Sequence, residues 1–169
     1  MTIDPSHSRV SFAVRHMMLS KIRGDFTQFS GTVQVGKADL PSHVNVSLTV
    51  ASINTNEKDR DTHLKSADFF DEQKFPTITF ESTNVHPDDD ETFIVHGSLT
   101  MHGITKTIEL TGQFEGQTID PWGKHRIAYS AWTRINRKDF GLVWNQTLET
   151  GGLLVGEDID ILLDIQAVA

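Results

Sequence analysis

An alternation of apolar and polar residues runs through most of the chain and restricts its possible folds more than any other feature. In an early segment, Val10, Phe12 and Val14 are separated by single residues whose side chains would point the opposite way. A period of two is typical of a β-strand, because successive side chains lie on opposite faces. The same period recurs in the runs Val44-Val46-Leu48-Val50, Ile78-Phe80, Phe93-Val95 with Leu99-Met101, Ile104 with Ile108-Leu110, Ile127-Tyr129-Ala131 and Ile159-Ile161-Leu163-Ile165. Together with residues 22–35, these runs predict about eight strands at the hairpin-like spacing of antiparallel sheets.

Such strands allow two architectures, a sandwich and a closed barrel, and strand length together with internal glycines favours the barrel, while the prolines agree with the strand boundaries. The prolines fall between or at the starts of the runs: Pro41, Pro76, Pro87 and Pro121. Glycines instead lie inside the runs, where they indicate bulges or sharp bends: Gly24, Gly31, Gly97 and Gly112. Long strands with internal glycines favour a strongly coiled barrel. We therefore predict an all-β fold, an antiparallel closed barrel of about eight strands, formed by residues 1–169 as a single domain.

One segment departs from the period of two and predicts a short helical insertion. Residues 56–70 begin with Asn56, a plausible N-cap, followed by Glu57 and Asp59, which the positive end of a helix dipole favours. Two further polar segments, at residues 39–41 and 88–91, predict solvated turns, the second a hairpin tip.

Charge and composition exclude several functions. With 15 Lys and Arg against 23 Asp and Glu, the net charge is −8, and no concentrated basic face suits a nucleic acid or an anionic membrane. The absence of cysteine excludes disulfides, thiolate nucleophiles and iron–sulfur clusters. Neither a leader segment nor a membrane-spanning apolar run is evident, so we expect a cytoplasmic protein, or a periplasmic or secreted one if the chain is a processed form.

Motifs along nearly the whole chain resemble the YceI-like family of lipocalin-like polyisoprenoid-binding proteins. They are IDPSHSRVSFAVRH at 3–16, GDF at 24–26, RDTHLKSADFF at 60–70, FPTITF at 75–80, GSLTMHGITK at 97–106 and INRKDFG at 135–141. The resemblance implies an extended barrel with a helical insertion and an apolar lumen that holds an isoprenoid-like chain. It also implies a non-enzymatic lipid carrier, a homodimer, and no cofactor.

Alternation assigns candidate ligand-binding residues to the inside of the barrel. The inward set is Phe12, Val14, Phe26, Leu48, Phe80, Leu99 and Ile135, with Trp132 added as a further aromatic candidate. The same aromatic side chains would equally suit an ordinary packed core. At one barrel end, His16 and Arg137 are candidates for binding a polar headgroup, with Arg15 and Arg134 secondary. The alternative is a structural role for both residues. His16 would then bind neighbouring polar groups, and Arg137 would hold a turn.

A metal site or an enzyme is the competing hypothesis. His96 and His102 are six residues apart, which on one strand corresponds to roughly 20 Å, too far to share an ion. Asp61 and His63 lack the spacing of three or four residues that adjacent ligands on a helix need. We therefore predict no metal site. The alternatives are an enzyme acting on an apolar substrate, metal-dependent if the fold unites His7, His16 and His63, and an interaction module whose cavity is incidental.

Overall fold

The computed structural model describes residues 1–89 and 91–169, so within the predicted hairpin tip Asp90 lies outside the described residues. Most of the described chain is β-structure. Its elements are β1 (Thr2–Ile3), β2 (Arg9–His16), β3 (Ser20–Phe26), β4 (Phe29–Val35), β5 (Pro41–Thr49), β6 (Ile53–Asn54), α1 (Lys58–Lys65), β7 (Thr77–Pro87), β8 (Thr92–Met101), β9 (Ile104–Ile119), β10 (His125–Asn136) and β11 (Val155–Val168).

Six of these β-segments combine into three bent strands. β1 and β2 both pair with β11, and β3 and β4 pair in turn with β2 and β1. In the same way, β5 pairs with β4 while β6 pairs with β3. The remaining strands each pair with the next along the chain, and β11 closes the ring against the first strand. The result is a closed, antiparallel, eight-stranded barrel, which confirms the predicted fold class.

The barrel has two different ends. At one of them, which we call the helix end, lie the short connection 17–19, the segment 55–76 that contains α1, and the long connection 137–154. The opposite end, which we call the turn end, carries the connections 36–40 and 120–124 together with both chain termini. A buried apolar cluster lies near each end, one around Leu99 and Phe140 and the other around Ile127.

Three of the internal glycines make room for aromatic rings. A Cβ at Gly24 would overlap the ring of Phe12, its partner across the β2–β3 pair. A Cβ at Gly112 would likewise overlap the ring of Phe93, its partner across the β8–β9 pair. Both glycines lie in uninterrupted register, so a bulge does not explain them. Gly97 both accommodates a ring, that of Phe80, and lies opposite Ser82, where the register of β7 shifts by one residue.

The predicted helical insertion is present, but the helix is shorter than the predicted segment and starts at a different residue. Helix α1 begins at Lys58, and its N-cap is Glu57, whose carboxylate accepts hydrogen bonds from the amides of Asp59 and Arg60. Asn56 precedes the cap with a φ of 61°, a left-handed conformation that asparagine tolerates better than most residues. Beyond Lys65 the chain continues as turns, and the buried Phe69 lies there, outside the helix.

Candidate functional site

An apolar cavity of about 230 Å³ lies inside the barrel. All eight long strands contribute inward side chains to its wall, and it extends from the cluster near the helix end to the cluster near the turn end. The volume greatly exceeds the roughly 10–15 Å³ that one water requires, and an apolar site of this kind offers water few partners. Among the described residues, Arg137 is the one charged member of the wall.

Strand alternation correctly placed most of the predicted lining residues. The cavity wall includes Phe12, Val14, Phe26, Leu48, Phe80, Leu99 and Ile135. It also includes residues that alternation did not predict, because they lie outside the strands: Leu64 of α1, Phe69, Phe70 and Leu142. These four cover the helix end of the cavity. For Leu64, Phe69 and Phe70 the available signal was the apolar character of the 60–70 segment, although their inward direction depends on how that segment folds back.

Trp132 was wrongly assigned to the lumen. The wall residues of β10 are Tyr129, Ser130, Ala131 and Ile135, and Trp132 is not among them. Trp132 is 43% exposed, and its partner across the sheet is the exposed Leu162. Its aromatic character suggested a lining role, but its side chain lies at the outer surface.

Arg137 reaches the cavity, but backbone carbonyls engage its guanidinium. The side chain is 2% exposed, and it donates to the carbonyl oxygens of Gly156 (2.8 Å), Leu142 (2.6 Å) and Trp144 (2.9 Å). Burial lowers the pKa of Arg137 from its ordinary value. The turn is thus held by hydrogen bonds from Arg137 to backbone carbonyls, together with an ion pair between Lys138 and Glu157 at 2.8 Å. The guanidinium donors are not free for a headgroup, and the geometry supports the structural role for Arg137.

The other headgroup candidates are dispersed. His16 is half-buried at the end of β2, where it pairs with Ser20 and Val155, and it is not part of the cavity wall. Arg15 is exposed. Arg134 lies on the outer face and donates to Asp160 at 2.7 Å. The structure therefore does not assemble these residues into one cationic site at the cavity.

The cover of the helix end is an aromatic stack with exposed apolar residues beside it. The ring of Trp144 lies 4.7 Å from that of His63 and 5.3 Å from that of Phe69, measured between centroids. His63 also donates to Asp68 at 2.8 Å. Next to this stack, an apolar rim is exposed to solvent. It consists of Met17, Met18, Leu19, Val143 and Leu153.

The turn end is closed by polar contacts. Arg126 donates to Asp4 at 2.7 Å and to Asp120 at 2.8 Å, and the hydroxyl of Tyr129 donates to the Asp39 carbonyl at 2.6 Å. A hydrogen bond from the Ser6 hydroxyl, followed by the one from Arg126, holds the pKa of Asp4 far below its ordinary value. The bond from Arg126 likewise lowers the pKa of Asp120. Burial raises the pKa of Tyr129.

The histidines of the alternative metal-enzyme hypothesis occupy separate surroundings. His7 contacts Asp4 at 2.9 Å, whereas His63 belongs to the aromatic stack. Within residues 1–89 and 91–169, no group of three or more histidine, aspartate or glutamate side chains is placed to hold an ion. In the same residues, no helix has the length and hydropathy needed to cross a bilayer.

Comparisons with known proteins agree with this architecture. The YceI-like domain model matches residues 1–167. Protein YceI of Escherichia coli O157:H7 is 36% identical over 166 residues, which cover 98% of this chain and 83% of that protein.

Two solved structures share the fold. BcnA of Burkholderia cenocepacia matches with a TM-score of 0.85 at 22% identity, over 98% of this chain and 99% of its own. A polyisoprenoid binding domain from Saccharophagus degradans matches with a TM-score of 0.73 at 15% identity, over 98% and 95%. The domain match and the identity to YceI show that this chain belongs to the YceI-like family.

Proposed function

We propose that the barrel binds one long apolar lipid, an isoprenoid-like chain, and carries it without changing it chemically. The observation that carries this proposal is the cavity, which is lined almost entirely by apolar side chains and extends between both ends of the barrel. The fold shared with a polyisoprenoid binding domain supports it, as does membership of the YceI-like family.

The physical basis of binding is burial of hydrocarbon. Each buried methylene contributes roughly 0.8 kcal/mol before the costs of association, so a chain of several units reaches useful affinity with little polar recognition. A wall with few hydrogen-bonding groups cannot distinguish ligands by their polar groups. We therefore expect selection by length and shape, with the isoprenoid branching accommodated by the spaces between aromatic and aliphatic side chains.

We propose the helix end as the entrance. The cover there consists of apolar side chains, which can exchange contacts with each other for contacts with an apolar chain at little cost. Entry through the turn end would instead require separating Arg126 from two carboxylates. Loss of such partners leaves charged groups unpaired, which is costly wherever water cannot replace them.

The test of binding combines identification of the ligand with one lumen variant. Lipids extracted from the freshly purified protein should contain an apolar chain detectable by mass spectrometry. Leu99→Glu places a carboxylate in the cavity wall, where nothing offsets its lost hydration, and should abolish uptake of an apolar fluorescent probe. Thr107→Glu, at an exposed position on the neighbouring strand, should bind the probe like the parent.

A conservative variant separates lost binding from lost folding. Leu99→Met keeps the volume and apolar character of the wall, so it should retain uptake. Circular dichroism establishes that all three variants are folded. Unchanged uptake by a folded Leu99→Glu protein would contradict the proposed lumen, and chemical conversion of the bound lipid would favour the enzyme hypothesis.

We also propose that the protein is a homodimer, as the family resemblance implies. Trp132 and Leu162 supply an exposed apolar pair on the outer face of the barrel. Light scattering at tens of micromolar should give twice the mass of the chain for the parent and a lower mass for Trp132→Ser. A monomeric parent would refute this assembly and leave lipid binding unaffected.

A further inference from the structure

Two histidines face each other on the outer surface of the barrel, on the opposite side of the sheet from the cavity. His86 lies near the end of β7, and His96 lies in β8. Their Nε2 atoms are 3.3 Å apart, and their ring centroids are separated by 5.4 Å. Neither residue belongs to the cavity wall, so the lipid site does not account for the pair.

The register of the β7–β8 hairpin creates this juxtaposition. Val85 pairs with Val95, which lines the cavity, so the residues on either side of each valine face outward. His86 pairs with Ile94 and Asn84 pairs with His96, which places the two imidazoles on a diagonal of the outer face. Side chains on such a diagonal are within reach of each other when they are long or aromatic.

The surroundings of the two rings indicate how their protons are placed. Nδ1 of His86 lies 3.1 Å from the carbonyl oxygen of Pro87, and a carbonyl can only accept, so a neutral His86 has its proton on Nδ1 and a bare Nε2. Without a metal, Nε2 of a neutral His96 then donates to Nε2 of His86. Nδ1 of His96 lies 3.8 Å from a carboxylate oxygen of Glu109, which can accept the proton of Nδ1 when an ion occupies Nε2. Metal-binding histidines commonly have their second nitrogen held in this way, by a carbonyl or a carboxylate.

We propose that Nε2 of His86 and Nε2 of His96 together bind one Zn²⁺ ion. Two nitrogens at 2.0–2.1 Å from a tetrahedral ion are separated by roughly 3.3–3.4 Å, and the observed separation already matches this value. The pair accepts zinc without moving its nitrogens apart, once the proton on Nε2 of His96 has moved to Nδ1 or to solvent. Imidazole nitrogen is a ligand that zinc prefers, whereas Mg²⁺ and Ca²⁺ prefer oxygen.

The proposed site is open. The protein supplies two ligands, and Glu109 contacts the far nitrogen of His96, away from the ion. Two coordination positions therefore remain for water or for a donor group of another molecule, unlike in a closed structural zinc site with four protein ligands. Because the ion would join β7 to β8, bound zinc should also stabilise this hairpin against local opening.

Calorimetric titration of the purified protein with Zn²⁺ tests the site. We expect one ion per chain, with affinity reduced roughly tenfold or more in His86→Gln and in His96→Gln, and by about tenfold in Glu109→Gln. His125→Gln changes another exposed histidine, on β10, and should leave the affinity unchanged. Mg²⁺ should produce no comparable heat.

A second measurement locates the ion. In nuclear magnetic resonance spectra, zinc should shift the imidazole signals of His86 and His96 before those of the other histidines. A parent protein that does not bind zinc would overturn the proposal, as would equal affinity in the parent and in both pair variants. Because both histidines lie on the outer face, circular dichroism should show an unchanged fold in these variants.

Discussion

The two ends of the barrel are closed by different interactions. At the turn end, Arg126 joins Asp4 and Asp120, and Tyr129 is held by a backbone carbonyl. At the helix end, an aromatic stack covers the cavity, beside a rim where Leu19 is 81% exposed. Hydrogen bonds are directional and are lost when their geometry changes, whereas apolar contacts can be exchanged.

This difference indicates how a closed barrel can still admit a long apolar molecule. If the ligand enters through the helix end as proposed, the polar contacts of the turn end need not break during entry, and stability and access would depend on different groups of residues. The following experiments test that division, beginning with the substitution expected to have the largest effect.

Phe140→Ala should cost about 3–5 kcal/mol, the usual range for a fully packed aromatic residue. Phe140 is 1% exposed and lies outside the cavity wall, so its removal leaves a void in packed structure. Phe12→Ala should cost less, because Phe12 already borders the cavity and its loss enlarges an existing space. Urea denaturation measures both values. Equal losses would show that the lumen is packed as tightly as the core.

Arg137→Ala should lower the free energy of unfolding by about 2–4 kcal/mol, because it leaves several buried carbonyl oxygens without donors. Arg137→Lys should restore only part of this stability, since a lysine ammonium cannot reproduce the planar arrangement of N–H donors of the arginine guanidinium. Arg134→Ala, which removes an exposed arginine from the outer face, should change stability little. A folded Arg137→Ala protein that loses preference for a prenyl phosphate over its alcohol would instead support a headgroup role.

Acid should weaken the turn end selectively. The folded-state pKa values of Asp4 and Asp120 lie below their ordinary values, so their contribution is complete above about pH 4 and is lost as the pH falls further. Urea denaturation at pH 7 and pH 3 should therefore show a smaller acid-induced loss of stability in Asp120→Asn than in the parent. An identical loss in both proteins would show that the contact between Asp120 and Arg126 does not cause the acid-induced loss of stability.

Met18→Asn should raise stability by about 1 kcal/mol, because Met18 has a φ of 60°, which asparagine adopts more readily. It should also slow uptake of an apolar probe, because it removes an apolar side chain from the rim at the proposed entrance. Trp122→Asn is the matched control at the turn end, where Trp122 is 80% exposed. Stopped-flow fluorescence should show slower uptake only for Met18→Asn, and the reverse result would move the entrance to the turn end.

Local pattern was sufficient to predict the strands and the inward direction of several lumen residues. Phe12, Leu48 and Leu99 were assigned to the cavity wall correctly, because a strand alternates its faces whatever it pairs with. Trp132 was assigned to the wall wrongly, because it is absent from the wall and 43% exposed. That assignment rested on its aromatic character.

Other features depended on contacts that are distant in sequence. The environment of Arg137 is formed by carbonyls on a long connection, so the direction of its donors could not be predicted from its own neighbours. His86 and His96 became neighbours only through the register of one hairpin. Alternation thus showed which side chains of a strand share a face, because it is a local property of each strand. Which groups come into contact followed from tertiary packing, because register and loop packing depend on the free energy of the whole barrel.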